Sequence, residues 1–292
     1  MQSVFIAGAT GYLGRFLCAA YRSRGYLVTA LVRDRERAED LDADVLIEAE
    51  ATRPETLSGV MDGIDLVVSA LGITRQADGL SYKEVDFGAN LNLLREAERA
   101  GVKRFGYVHV LNSDAMRHVP LVSAKADFVD QLRTSRIAST VVAPSGYFSD
   151  MEEFLSMARA GRAWLFGSGA KRINPIHGAD LAAAIADATE AGLGWLDVGG
   201  PDTFTQAEIA RLAFAALDSP VRITRLPDVL RKAALAVLPR VAPRRIHGPA
   251  QFFLTALSRD MVGKAQGTRR LSDHFRHLAG STNATLSKEV TP

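Results

Sequence analysis

The chain has 292 residues, 47% hydrophobic and 23% charged, with a net charge of +2 at neutral pH and one cysteine. That length holds one large domain or two small ones around a sizeable core, and the near-neutral balance gives no push toward nucleic acid. A lone cysteine, Cys18, excludes a disulfide within the chain, fits a reducing compartment and reads as core packing.

The chain opens on the apolar run Val4–Ala7, which leads into Gly8-Ala9-Thr10-Gly11-Tyr12-Leu13-Gly14. Phe16, Leu17, Ala20 and Tyr21 then recur at helical spacing. Strand, glycine turn and helix in this order make a dinucleotide cradle: the backbone approaches a pyrophosphate closely, and the helix N-terminus offers free N–H groups. Gly8, Thr10, Gly11, Tyr12, Leu13 and Gly14 are its candidate residues. The opening core strand leaves no room for a signal peptide, and no apolar stretch is long enough to span a bilayer. The expected location is the cytoplasm.

A second strand, Tyr26–Val32, ends at Arg33-Asp34-Arg35. That end lies beside the adenosine ribose in such a fold, where a guanidinium suits a 2′-phosphate. Arg33 therefore favours NADP over NAD, with Arg15 and Arg35 as helpers, whereas Asp34 in the same turn would serve NAD. The third strand, Val45–Glu48, leads to Glu50, a candidate for the adenine side, and a short helix is expected at Glu55–Met61. The fourth strand, Ile64–Ala70, brings Ala70, Leu71 and Gly72 under the ribose and pyrophosphate. After a polar loop at 73–80, one long helix is expected from Tyr82 to Ala100, stopped by Gly101. Strands Arg104–Val110 and Ser139–Ala143 flank a helix at Val122–Arg136. Near-continuous apolar strands alternating with helices predict a Rossmann-type, doubly wound parallel α/β sheet.

Gly-Ala-Thr-Gly-Tyr-Leu-Gly-Arg at 8–15 resembles the atypical short-chain dehydrogenase/reductases, in particular their NmrA-like, NAD(P)H-binding branch. The runs Val85–Leu94, Ala100–Phe105, Pro144–Met151 and Ile173–Ala182 are similar to the same branch. The resemblance extends to divinyl chlorophyllide reductases and to the NADP-holding accessory subunit of respiratory complex I. It covers most of the chain up to about residue 217, and it is specific for fold and cofactor but not for substrate. It implies a small C-terminal α+β lobe over the nicotinamide end and mostly NADP-linked chemistry. It also places Pro144 and Gly146 beside the cofactor. The wider superfamily uses Tyr-x-x-x-Lys, in which tyrosine handles the proton while lysine holds the nicotinamide ribose. Lys125 matches the lysine, but position 121 is leucine, and His109 stands where the fifth strand commonly ends in serine. Three readings stay open. Lys125 binds the ribose while Tyr147, or else His109, supplies the proton; or hydride goes to a conjugated double bond or quinone while water or substrate handles the proton; or the chain binds NADP(H) without chemistry.

Beyond Asp150 come a helix at Glu152–Ala160, short strands at Ala163–Phe166 and Arg172–Ile176, and a helix at Ala179–Ala191, which Asp180 is expected to cap and tie to its loop. A strand at Leu193–Val198 and a helix at Ala207–Leu217 follow, the latter with a Thr205–Glu208 capping box. The sequence divides into a cofactor domain at 1–150, rejoined by segments around 176–200, a substrate lobe at 151–280 and a disordered tail at 281–292. The 222–277 region is rich in arginine and lysine between apolar runs at Val229–Leu238 and Phe252–Leu254. It reads as helices covering the substrate pocket, or as a peripheral membrane or protein contact. Basic residues without interleaved aromatics do not suit nucleic acid. No metal-ligand cluster and no Ser-His-Asp spacing is present. The expected function is an NADP-dependent oxidoreductase acting on a small hydrophobic or conjugated molecule such as a quinone or enone. The alternative is a non-catalytic NADP(H) sensor or assembly subunit.

Overall fold

The computed structural model describes residues 1–73 and 79–289, the side chains of 281–289 excepted. Most of the polar loop expected at 73–80 falls outside the described residues. Strands β1 (Ser3–Ala7), β2 (Leu27–Val32), β3 (Val45–Glu48), β4 (Leu66–Ser69), β5 (Arg104–Val108), β6 (Ala138–Pro144) and β9 (Trp195–Gly199) lie in one parallel sheet. The two-residue β12 (Lys264–Ala265) adds an edge, and the order is β12-β9-β6-β5-β4-β1-β2-β3. The expected doubly wound sheet is what the chain forms.

Every residue of β1 and β4 is buried, as strands covered on both faces require. Alternation sorts β1 between two cores. Val4 and Ile6 pack with α1 (Tyr12–Ser23) and α5 (Gly178–Glu190), while Phe5 and Ala7 pack with α2 (Asn90–Ala100) and α3 (Pro120–Thr134). Helices α1 and α5 run close together because Gly178 has no side chain: a Cβ there would run into the Phe16 ring. The strand order reverses between β1 and β4, which opens a crevice at the carboxyl ends of the strands.

The lobe consists of α4 (Phe148–Arg159), β7 (Ala163–Phe166), β8 (Arg172–Ile173), β10 (Phe204–Thr205), α6 (Gln206–Ala216), β11 (Ile223–Leu226), α7 (Asp228–Val241), α8 (Arg244–Ala256) and α9 (Leu271–Glu289). Phe148, Phe154, Ile209, Phe214 and Phe275 form its core. The stretch 281–292, expected to be a tail, begins within α9, and 290–292 lie outside the described residues.

Three local expectations need correction. The short helix at Glu55–Met61 is a 3-10 turn at Pro54–Leu57, opened by the fixed φ of Pro54. The long helix from Tyr82 is a π-helix over Lys83–Ala89 that becomes α2. Its wide turn lets the Asn90 side-chain amide donate to the carbonyls of Val85 (3.3 Å) and Asp86 (3.0 Å). His177, not Asp180, caps α5, since its Nδ1 accepts from Ala179 N (3.1 Å). Asp180 sits two residues inside and ties the helix to the incoming loop, accepting from Thr268 N (3.0 Å) and Arg269 N (2.9 Å) and pairing with the Arg269 guanidinium. The Thr205–Glu208 capping box is present as read.

Candidate active site and cofactor cleft

The glycine turn is built by exclusion of side chains. Gly8 has φ +81°, and a Cβ there would lie 3.0 Å from the Ala70 carbonyl. A Cβ at Gly14 would run into the Gly8 carbonyl oxygen. The N-terminus of α1 has no side-chain cap and no acid in its first turn, so its N–H groups face an open crevice. These features fit a pyrophosphate.

A cavity of about 220 Å³ continues from this turn along the β2 side. Thr10, Arg33, Glu50, Ala70, Leu71 and Gly72 are among its lining residues. Arg15 is paired with Asp40 (2.7 Å), and Arg35 donates to Leu46 O (2.6 Å), so both are engaged elsewhere. Asp34 accepts from Glu36 N (3.1 Å) and pairs with Arg37 (3.1 Å), which turns its carboxylate to a local cap. Glu50 accepts from Thr52 Oγ1 (2.9 Å) and pairs with Arg53 (3.2 Å).

A second cavity, about 350 Å³, runs from the same turn into the lobe. It gathers Gly8, Gly11, Tyr12, Leu13 and Gly14 with Lys125, His109, Pro144, Gly146 and Tyr147. The chain thus brings its sequence-predicted cofactor and catalytic candidates to one crevice. Lys125 Nζ lies 3.3 Å from Asp86 Oδ1, 3.3 Å from Val108 O, to which it donates, and 5.2 Å from the Tyr107 ring centroid. Asp86 is fully buried, and burial pushes its carboxyl up against the pull of Lys125. Gly72 leaves the room this pair needs, since a Cβ would lie 2.6 Å from Asp86 Oδ1. Leu121 is buried in the wall where the superfamily tyrosine would stand.

His109 is buried beside Trp195, with ring centroids 5.8 Å apart. Burial first, and then the Lys125 charge, hold its imidazole down to about 3. It is therefore neutral at physiological pH, and its Nδ1 has no hydrogen-bond partner among the described residues. Tyr147 starts α4, its ring centroid 5.9 Å from that of Tyr12, and burial drives its phenol well above the usual value. Asp150 lines the same cavity, and burial lifts its carboxyl to about 6. The Tyr12 hydroxyl accepts from Gly178 N (3.1 Å), which ties the cradle to α5. Cys18 is fully buried, its thiol pushed up to about 12, and it plays a packing part.

Asp86 and Asp150 were not singled out from sequence. Asp86 left a signal, because it and Asn90 stand on the apolar face of a predicted helix, where a polar residue needs a reason. Asp150 left none, since its burial comes from packing of the lobe. Among the described residues no group of metal-binding side chains occurs, and no helix is long and apolar enough to cross a membrane.

The family model described as NAD(P)H-binding matches residues 8–191. The chain is 31% identical over 185 residues to the photosystem II assembly factor Ycf39 of Guillardia theta, covering 62% of this chain and 58% of that protein. It is 26% identical over 269 residues to the chloroplastic divinyl chlorophyllide a 8-vinyl-reductase of Arabidopsis thaliana, covering 82% and 63%. The chain thus spans less than two thirds of the length of these curated relatives. Among solved structures, the Escherichia coli NADPH-dependent quinone oxidoreductase QOR2 in complex with NADPH superposes with a TM-score of 0.76 at 19% identity, covering 94% of this chain and 99% of that one. Glycine cradle, sheet order and family match agree: the chain belongs to the NAD(P)H-binding family.

Proposed function

We propose that the chain is an NADP(H)-dependent oxidoreductase acting on a hydrophobic, conjugated small molecule such as a quinone or enone. The observation that carries this reading is continuity. One cavity joins the glycine turn to Lys125 and Tyr147 and then opens between apolar walls of the lobe, including Phe154, Phe252 and Met261. A bound nicotinamide would supply the hydride. Lys125, held by Asp86, is placed to hold the ribose hydroxyls. Tyr147 keeps its proton at neutral pH and stands on the carboxyl edge, so it can donate to a reduced substrate oxygen or carbon. Asp150, near half-protonation around pH 6, adds a second proton source in the same wall. His109, held neutral at that pH by burial, is not the acid.

Arg33 on the adenosine-side cavity, with Asp34 turned to its own local cap, supports NADP over NAD. Changing Arg33→Ala is expected to lower NADPH affinity at least tenfold relative to NADH, read by fluorescence titration; an unchanged ratio removes the assignment. A screen of quinones and enones with NADPH tests the activity. The second reading, a non-catalytic NADP(H) sensor or assembly subunit, rests on Leu121 in place of the tyrosine. Tight NADPH binding with no turnover on any acceptor would decide for it.

A further inference from the structure

The lobe end of the large cavity carries an uneven charge. Lys171, Arg172 and Arg259 line it with Phe154, Ile173, Phe252, Phe253, Leu257 and Met261. Asp86 and Asp150 are the carboxylates in the same wall: the first belongs to Lys125, and the second is raised to about 6 by burial. Of the three cations, Arg172 is matched by Asp260 (3.3 Å). Neither Lys171 nor Arg259 forms an ion pair among the described residues, although the Lys171 charge also acts on Asp260, and Arg259 Nε is buried without a hydrogen-bond partner. A buried donor left unpaired costs about 1–3 kcal/mol, which an anion bound beside Arg259 would recover.

The backbone segments that carry the cations are also held in place. Arg172 N donates to Asp260 Oδ1 (3.0 Å), Met261 N donates to Arg172 O (2.7 Å), and Asn112 Nδ2 donates to Asp260 O (2.8 Å). Arg259 directly precedes this bridge and Lys171 directly precedes Arg172, so both stand on segments stapled together. Cations on a fixed backbone beside aromatic walls suit a flat apolar body that ends in an anion.

We propose that the substrate is an aromatic or conjugated molecule bearing a carboxylate or similar anionic group, which Arg259 and Lys171 bind at the lobe end while the conjugated part lies toward Lys125 and Tyr147. This rests on the oxidoreductase reading for its chemistry but not for its binding. Two measurements separate them. With the NADP⁺-loaded chain, calorimetry compares 2-naphthoate with 2-naphthalenemethanol; with NADPH, kinetics compare 1,4-naphthoquinone-2-sulfonate with 1,4-naphthoquinone. The anionic member should bind at least tenfold tighter, and the preference should fall about tenfold in Arg259→Gln and in the solvent-exposed Lys171→Gln, while the charge-keeping Arg259→Lys retains most of it. Equal affinities for the two ligands, or a preference untouched by both neutralising changes, overturn the proposal. Anion-selective binding without turnover of these quinones or of any acceptor in the enone screen leaves the anion site standing and removes the oxidoreductase reading.

A separate observation concerns α7, which seats Arg231, Ala234, Leu235 and Leu238 inward and leaves a second apolar face outward. Val229 is 65% exposed, Leu230 48%, Val237 51% and Val241 71%, whereas Arg231 is buried. Arg231 makes a two-pronged bond to Asp228 (2.6 and 3.1 Å) and donates to Leu254 O of α8 (3.2 Å). Lys232, Arg240, Arg244 and Arg245 are exposed around the apolar face, which continues through Ile246. A second copy of the chain would bring these cations against one another, whereas anionic headgroups would neutralise them. We infer that the α7 face rests on an anionic lipid surface. Co-sedimentation of the full chain should be strong with vesicles of phosphatidylglycerol and phosphatidylcholine, weak with phosphatidylcholine alone, and reduced at least tenfold by Val237→Glu. Equal sedimentation with both vesicles, no sedimentation, or a dimer dispersed by Val237→Glu overturns it.

Discussion

His109 and Asp150 pull stability in opposite directions as pH changes. The folded imidazole titrates near 3 against 6.5 in a free histidine, so the unfolded chain takes up that proton first. The stability linked to it is fully present above pH 6.5 and is lost as pH falls toward 3, a change of about 4–5 kcal/mol. The Asp150 carboxyl titrates near 6 against 3.8, so the folded chain keeps its proton longer. Its contribution is fully present below pH 3.8 and is lost as pH rises through 6, a change of about 3 kcal/mol. Between pH 4 and 6 the two slopes nearly cancel. Urea unfolding over that window should show stability almost flat in the parent chain, falling with pH in His109→Gln and rising with pH in Asp150→Asn, by about 1 kcal/mol per pH unit in each variant. The buried pair is a second test at this scale. Lys125→Met strands a fully buried carboxylate and should cost about 3 kcal/mol. Adding Asp86→Asn should restore most of the melting temperature but not NADPH affinity, since the ribose holder is still missing.

At the level of elements, the glycine cradle was legible because each glycine has a local backbone reason. Gly14→Ala should cost about 1–3 kcal/mol and abolish NADPH binding, read by thermal melting with and without the cofactor. The alternation of strands and helices was equally legible, since 2.0 and 3.6 residue periods are local properties. The π-helix was not, because Asn90 and Asp86 are satisfied by partners brought in by tertiary packing: Ser69 Oγ donates to Asn90 (2.5 Å), and Asp86 meets Lys125. The cap of α5 was misassigned for a similar reason. Aspartate is the commoner cap, but the loop at 268–269 claims Asp180 and leaves the position to His177. The outward face of α7 reads in sequence as a plain amphipathic helix. Only the bonds of Arg231 show which side faces the protein.

At the scale of the whole molecule, Asn174 holds lobe and sheet together. It is fully buried, donates to Gly263 O (2.9 Å) and Gly200 O (3.2 Å), and accepts from Gly263 N (3.0 Å). Asn174→Ala should loosen the segment that carries Arg259 and Met261, raising the KM for substrate several-fold while NADPH affinity changes little. Steady-state kinetics beside a cofactor titration read this directly. The same segment has a consequence for how such a protein can be re-engineered. Before α9 completes the lobe, the chain returns at Lys264–Ala265 to add the last strand of the main sheet. The lobe is therefore not a removable cassette. A chimaera that exchanged everything after Gly200 would uncover the rim of β9, and any replacement must bring its own selvedge for that cloth.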